Sequence, residues 1–220
     1  MEENRTTGEV VVLVHGLWIS GAGLLCRRFR EAGFEPRKFG YRGTRDAADA
    51  AADRLFASIR SHPEKRVHLL GYSLGGLLVY HALHRYGVEW PQLGRVILLG
   101  SPLRSSAAAL QLSKSVFGRK MLGDGVSTEL LSDPGRCWTS PYPAAAIAGT
   151  RGVGLGRLLC RLDKPNDGTV AVSETKIPGL ADHAEVEAGH AGLLFARRTV
   201  TLAASFFRSG TFESGVRGNL

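Results

Sequence analysis

Val67-His68-Leu69-Leu70-Gly71-Tyr72-Ser73-Leu74-Gly75-Gly76 is the stretch that decides the fold. The apolar run before it suits a buried strand, and Leu77, Leu78, Ala82 and Leu83 after it fall at the spacing of a buried helix face. Ser73 therefore stands on a sharp turn from strand to helix. Gly71 and Gly75, two residues to either side, lack side chains where strand and helix must come close. The hydroxyl this exposes lies at a helix N-terminus, whose positive dipole and free N–H groups favour developing negative charge.

A second apolar run, Val10-Val11-Val12-Leu13-Val14, reads as a strand buried on both faces of a parallel sheet and ends in His15-Gly16-Leu17-Trp18. Its loop is expected at the carboxyl edge of the sheet beside Ser73. The main-chain N–H groups of Leu17 and Leu74 are the expected oxyanion donors, with His15 in a structural role.

A nucleophilic serine needs a base, and the base an orienting acid. Of the seven histidines, only His183 and His190 follow the serine in the order serine, acid, histidine. Ala184 to Ala188 reads as a short strand broken by Gly189. That places His190 at its carboxyl end, whereas His183 precedes it. Asp163, Asp167 and Asp182 are candidate acids. Asp167 is favoured because Asn166-Asp167-Gly168 is a turn on the loop after the strand at Ala144 to Gly149, ahead of a segment, Thr169 to Val172, that looks extended.

These segments together resemble a small lipase or esterase of the α/β-hydrolase superfamily, the bacterial lipases in particular. The matching residues are His15-Gly16-Leu17, Gly71 to Gly76, Asn166-Asp167-Gly168-Thr169-Val170 and Gly189-His190-Ala191-Gly192-Leu193-Leu194. The resemblance implies Ser73 as nucleophile, Asp167 as acid, His190 as base, an oxyanion hole at Leu17 and Leu74, and no metal or cofactor. It implies cleavage of a carboxylic ester through an acyl-enzyme. A thioesterase or acyltransferase would use the same residues, and a non-catalytic relative binding a lipid or a protein partner is the alternative of another class.

Alternating strands and helices predict an α/β fold, a mostly parallel sheet with helices on both faces, in one domain over residues 1–220. Strands are expected near 9–14, 34–40, 66–71, 95–100, 144–149, 169–173 and 184–188. Helices are expected near 21–32, 46–61, 74–86 and 192–208, and 209–220 reads as a flexible tail. The first visible strand already carries the His-Gly loop, so a reduced version of the fold is expected. Residues 102–143 hold four prolines and exceed an ordinary crossover. A short cap over the site and a decorated crossover are both open for them. Trp18, Met121, Leu122 and Trp138 are candidate pocket residues.

Lysine and arginine total 28 against 20 acids, a net charge of +8. The basic residues are scattered and no nucleic-acid motif accompanies them, so an arginine-rich solvated surface, with peripheral contact to anionic membrane, is expected rather than nucleic-acid binding. Cys26, Cys137 and Cys160 form no C-x-x-C pair, and His81 and His84 lack metal-site spacing. No secretory signal or membrane-length apolar run is visible, so a cytoplasmic protein acting on a small acyl ester or lipid is expected, its oligomeric state left open.

Overall fold

The β-branched and leucine-rich runs become the middle of a sheet because both their faces are apolar. The computed structural model describes residues 8–15, 22–41, 47–62, 65–86, 90–104, 135–152 and 162–212. In chain order the elements are β1 (Val10–Val14), α1 (Ala22–Glu31), β2 (Glu35–Phe39), α2 (Ala48–Arg60), β3 (Val67–Tyr72), α3 (Leu74–Tyr86), β4 (Leu93–Leu99), β5 (Ala144–Gly149), β6 (Asp182–Val186) and α4 (Arg197–Ser209). Short 3-10 turns lie at Val172–Thr175 and Ala191–Leu194.

The six strands run in the order β2-β1-β3-β4-β5-β6, every neighbouring pair parallel. Side-chain alternation splits the core in two. Val10, Val12, Val14, Val67, Leu69, Val96 and Leu98 pack on the side of α2 and α3, and Val11, Leu13, Leu70, Tyr72, Ile97 and Leu99 on the side of α1 and α4. The order reverses between β1 and β3, since β2 lies to one side of β1 and the later strands to the other. Such a switch point leaves a crevice at the carboxyl ends of the two strands, and ligands of open α/β sheets bind there.

Four expectations need correction. Residues 169–173 are not a strand. The Asp167 carboxylate accepts the N–H groups of Thr169 and Val170, at 2.9 and 2.7 Å, and turns the chain back on itself. Val170 and Val172 are buried all the same, their β-branched character spent on core contact rather than on a ladder. The last strand begins two residues earlier than expected, at Asp182, so His183 lies within it. The closing helix is two pieces, a 3-10 turn and then α4, parted at Phe195-Ala196. The start of the expected tail is packed: Gly210 closes α4 in the left-handed conformation, and buried Phe212 donates its N–H to Asp182 Oδ2 at 2.8 Å. Residues 105–134 of the expected cap and 213–220 of the tail lie outside the described residues. No helix among the described residues is long and apolar enough to cross a membrane.

At the amino end of the sheet His68 is wholly buried on β3. It fits because Gly94 opposite has no side chain; a Cβ there would lie 2.6 Å from its ring. Nδ1 accepts the N–H of Arg95 at 3.0 Å, and the ring stacks on Phe207 with centroids 4.5 Å apart. Glu9 Oε2 is 3.6 Å from Nε2, too far for a hydrogen bond. Burial first, then the charges of Arg95 and Arg66, push the His68 pKa down to about 3.

Unfolded, the same side chain takes up a proton near pH 6.5, so the unfolded state binds more protons below that pH. The stability His68 confers is complete above about pH 6.5 and is lost as pH falls toward 3. In urea titrations between pH 7 and 4, His68→Gln should lose stability less steeply than wild type, by about one proton's worth, roughly 1.4 kcal/mol per pH unit. Parallel slopes would show that His68 is not neutral in the fold.

Candidate active site

Three strand ends and two loops build the site. At the end of β3, Gly71 passes so close to α3 that a Cβ would lie 2.5 Å from Gly76 Cα. Gly75, in the first turn of α3, leaves no more room: a Cβ would lie 2.2 Å from the Val14 carbonyl oxygen at the end of β1. Between them the chain must turn within one residue, and Ser73 takes a left-handed φ of 55°, the only non-glycine with positive φ among the described residues. Such a conformation costs about 1–2 kcal/mol. It is held by the Ser73 N–H donating to Leu99 O at 2.9 Å and the Gly76 N–H donating to Ser73 O at 3.0 Å.

The imidazole of His190 lies beside the Ser73 hydroxyl. Ser73 Oγ is 3.0 Å from Nε2, placed to donate its proton, and Nδ1–H donates to Asp167 Oδ2 at 2.7 Å. Asp167 is 1% exposed, and its other oxygen accepts the two N–H groups of its own turn. Its main-chain carbonyl accepts the His190 N–H at 2.8 Å, so acid and histidine are joined through backbone and side chain alike. Both ring nitrogens and both carboxylate oxygens are thereby committed to one orientation of the imidazole.

Two further strand ends make room for this. Gly149, closing β5, faces Asp167 Cβ at 2.7 Å and the Ala188 carbonyl at 2.5 Å from where its own Cβ would be. Gly100, after β4, has φ 54° and lies against Leu193 and the His190 ring. Neither was singled out in the sequence, although a glycine directly after an apolar strand run, as at Leu98-Leu99-Gly100 and Ile147-Ala148-Gly149, is the signal they share with Gly71.

The other candidates fall elsewhere. His183 is in β6, with Nε2 2.8 Å from Thr175 Oγ1; burial first, helped by Lys176, lowers its pKa. Asp182 is taken up by the N–H groups of His183 and Phe212. Asp163 is exposed, and its carbonyl accepts from the Asn166 side chain. His15 stacks on Tyr41, centroids 5.2 Å apart. Trp138, expected to line a pocket, is buried against Tyr80 and His84, seven and eleven residues along the chain from Ser73. Its Nε1–H is bound to Tyr142 O, so it is core on the α3 face. Leu74 begins α3, where the first N–H groups have no partner within the helix. Leu17, Trp18, Met121 and Leu122 lie outside the described residues. Among the described residues no cluster of histidine, cysteine and carboxylate side chains is placed to hold a metal ion.

An apolar cleft opens at the carboxyl ends of β1, β2 and β3. Leu13, Leu25, Leu70, Tyr72 and Leu194 form its body, with Lys38 at the rim. It lies at the switch point, on the face of the sheet that carries α1 and α4.

The same fold recurs in solved structures. The mature lipase BlEst2 of Bacillus licheniformis superposes with a TM-score of 0.67 at 19% identity, over 87% of this chain and 89% of that one. The chain has the α/β-hydrolase fold. The metagenomic carboxyl esterase MGS0156 gives 0.66 at 18% identity, over 86% of this chain and 66% of that one. The pyrethroid hydrolase PytH gives 0.59 at 16%, over 92% and 98%. Comparison with protein-family models and with curated sequences found no match.

The close approach of α3 to the end of β1 can be probed without any substrate. Gly75→Ala should lower the melting temperature by roughly 3–12 °C, the effect of about 1–3 kcal/mol of overpacking in a chain of this size. Gly23→Ala, on α1 with nothing within 4 Å of the added Cβ, should leave it within a degree or two. Equal melting of the two variants would contradict the close approach.

Proposed function

We propose that this chain is a serine hydrolase that cleaves carboxylic esters. The observation that carries the reading is the continuous chain of hydrogen bonds from Ser73 through His190 to Asp167. The strained backbone at Ser73 supports it, because strain of this kind persists where the surroundings over-determine it and gathers at functional sites.

In the proposed cycle Ser73 Oγ attacks the acyl carbonyl while His190 Nε2 takes its proton. The tetrahedral oxyanion is held by the main-chain N–H of Leu74 at the start of α3 and by that of Leu17. Collapse expels the alcohol, which receives the proton from His190, and leaves an acyl-serine. A water then gives its proton to His190 and attacks the acyl carbon, and the acid departs as Ser73 regains its hydrogen. Asp167 stays ionised throughout, holding the proton of the imidazole on Nδ1 and stabilising the imidazolium when it forms. The cleft beside Tyr72, apolar along Leu13, Leu25 and Leu70, suits an apolar acyl group. A thioester or an acyl acceptor other than water would meet the same groups.

Ser73→Ala should lower kcat on p-nitrophenyl esters by on the order of 10⁴ to 10⁶ with the fold intact. In parallel, Asp167→Asn should lower kcat by up to about 10⁴ with little change in KM, while Asp163→Asn and Asp182→Asn stay near wild type. Wild-type turnover in Ser73→Ala would remove the serine from the mechanism. Collapse confined to Asp163→Asn or Asp182→Asn would move the acid.

Leu70→Trp, which fills the cleft, should raise KM for octanoyl esters by about tenfold or more, as the loss of a few buried methylenes does, and leave acetyl esters almost untouched. Unchanged chain-length preference would place the acyl group elsewhere.

A further inference from the structure

Tyr72 occupies the residue immediately before the nucleophile and, beyond lining the cleft, has no role in the steps of the proposed cycle. Side-chain alternation along β3 sends Gly71 toward α3 and Tyr72 to the opposite face, beneath the loop that carries His190. The phenol is 8% exposed. Its hydroxyl donates to the main-chain carbonyl of His190 at 3.2 Å, and its ring lies with its centroid 5.1 Å from that of the imidazole, tilted by 32°.

The contact closes a frame around one residue. The His190 N–H is held by Asp167 O, its Nδ1 by Asp167 Oδ2 and its Nε2 by Ser73. Its carbonyl also receives the N–H of Leu193 at 3.3 Å, so Tyr72 supplies the one side-chain donor among the described residues at that end of the peptide. Because Tyr72 and Ser73 are consecutive in the chain, the strand that sets the position of the nucleophile also sets the height of the base above it. A buried phenol stays a donor at every working pH. Here burial, seconded by the negative charge of Asp167, pushes its ionisation well above the ordinary tyrosine range. The face of an aromatic ring within about 6 Å also favours a cation over a neutral partner, and His190 becomes a cation in each half of the cycle.

We propose that Tyr72 is a positioning residue for His190, its hydroxyl fixing the main chain of the histidine and its ring supporting the imidazolium. The inference rests on the serine-hydrolase reading for its kinetic arm but not for its spectroscopic one. Other groups facing the imidazole bear on its protonation too. Among the described residues these are Asp167, the charged one, and the Ser73 hydroxyl; both are left in place in the kinetic variants below.

The test uses Tyr72→Phe, which keeps the ring, and Tyr72→Leu, which loses ring and hydroxyl. An acetyl ester serves as substrate because its acyl group is too short to depend on the cleft that Tyr72 also lines. Tyr72→Phe should lower kcat about threefold to tenfold, the effect of one neutral hydrogen bond, with KM unmoved. Tyr72→Leu should lower kcat by about a hundredfold with KM within about twofold.

The second readout needs no turnover. In the Ser73→Ala background, the downfield proton on His190 Nδ1 should be resolved by NMR both with the native Tyr72 and with Tyr72→Phe added. Adding Tyr72→Leu instead should broaden or abolish it. Wild-type kcat in Tyr72→Leu, or an Nδ1 proton equally sharp in all three, would overturn the proposal. A chain that turns over no ester yet shows the NMR difference would overturn the hydrolase reading and leave the positioning role standing.

Discussion

The contact on which the rest depends is the seating of α3 on the end of β1. Gly75 lies against the Val14 carbonyl so tightly that a methyl group would stand 2.2 Å from its oxygen. That approach leaves no slack between β3 and α3, and the chain answers with one residue, Ser73, in the left-handed region. Main-chain hydrogen bonds of about 1 kcal/mol each offset the cost. The same contact sets the end of β1 against the turn, at the point where the strand order reverses. Gly100 and Gly149 repeat the device at the ends of β4 and β5. There the missing side chains let His190 with Leu193, and Asp167 with Ala188, settle onto the carboxyl edge. The geometry between serine and imidazole is thus inherited from backbone packing, and a small error at any of these glycines would be felt at Ser73 Oγ.

Much of this was legible because it is local. The turn around Ser73 announces itself through two glycines at fixed offsets, and β1 through five apolar residues in a row. Chain order then left His183 and His190 as bases, and the expected strand ends favoured His190 and Asp167. The misreadings share a cause: a side chain that competes with the backbone. Val170 and Val172 look like strand residues, but the Asp167 carboxylate captures the N–H of Val170 and that of Val172 turns back to Pro165 O. His183 read as lying outside the last strand, since no pattern foretells that Thr175 would receive its ring. Trp138 looked like a pocket wall because an aromatic residue in an irregular stretch carries no periodicity. Only the tertiary fold assigns it to Tyr80 and His84.

The basic balance also acquires a structural meaning. Several arginines hold carbonyls that helix and strand ends leave open. Arg95 donates to Phe207 O at 2.6 Å and Arg136 to Leu103 O at 3.1 Å. Arg28 reaches from α1 to Phe195 O, ahead of α4, and Arg208 from α4 to Ala32 O, just past α1. Phe195 ends the turn that starts beside His190. The α1 arginine therefore pins the far side of the loop whose near side carries the imidazole. Ion pairs such as Arg27–Glu31, largely exposed, add little by comparison.

The central claim is that Ser73 is an activated nucleophile whose base is His190. Its most direct measurement is covalent labelling by a fluorophosphonate ester, followed by intact mass and peptide mapping, on wild type and on His190→Ala. Stoichiometric phosphonylation mapped to Ser73 in wild type, slowed by about a thousandfold or more in His190→Ala, is what the arrangement predicts. An unlabelled wild-type chain, or a Ser73 that reacts as fast without His190, would contradict it.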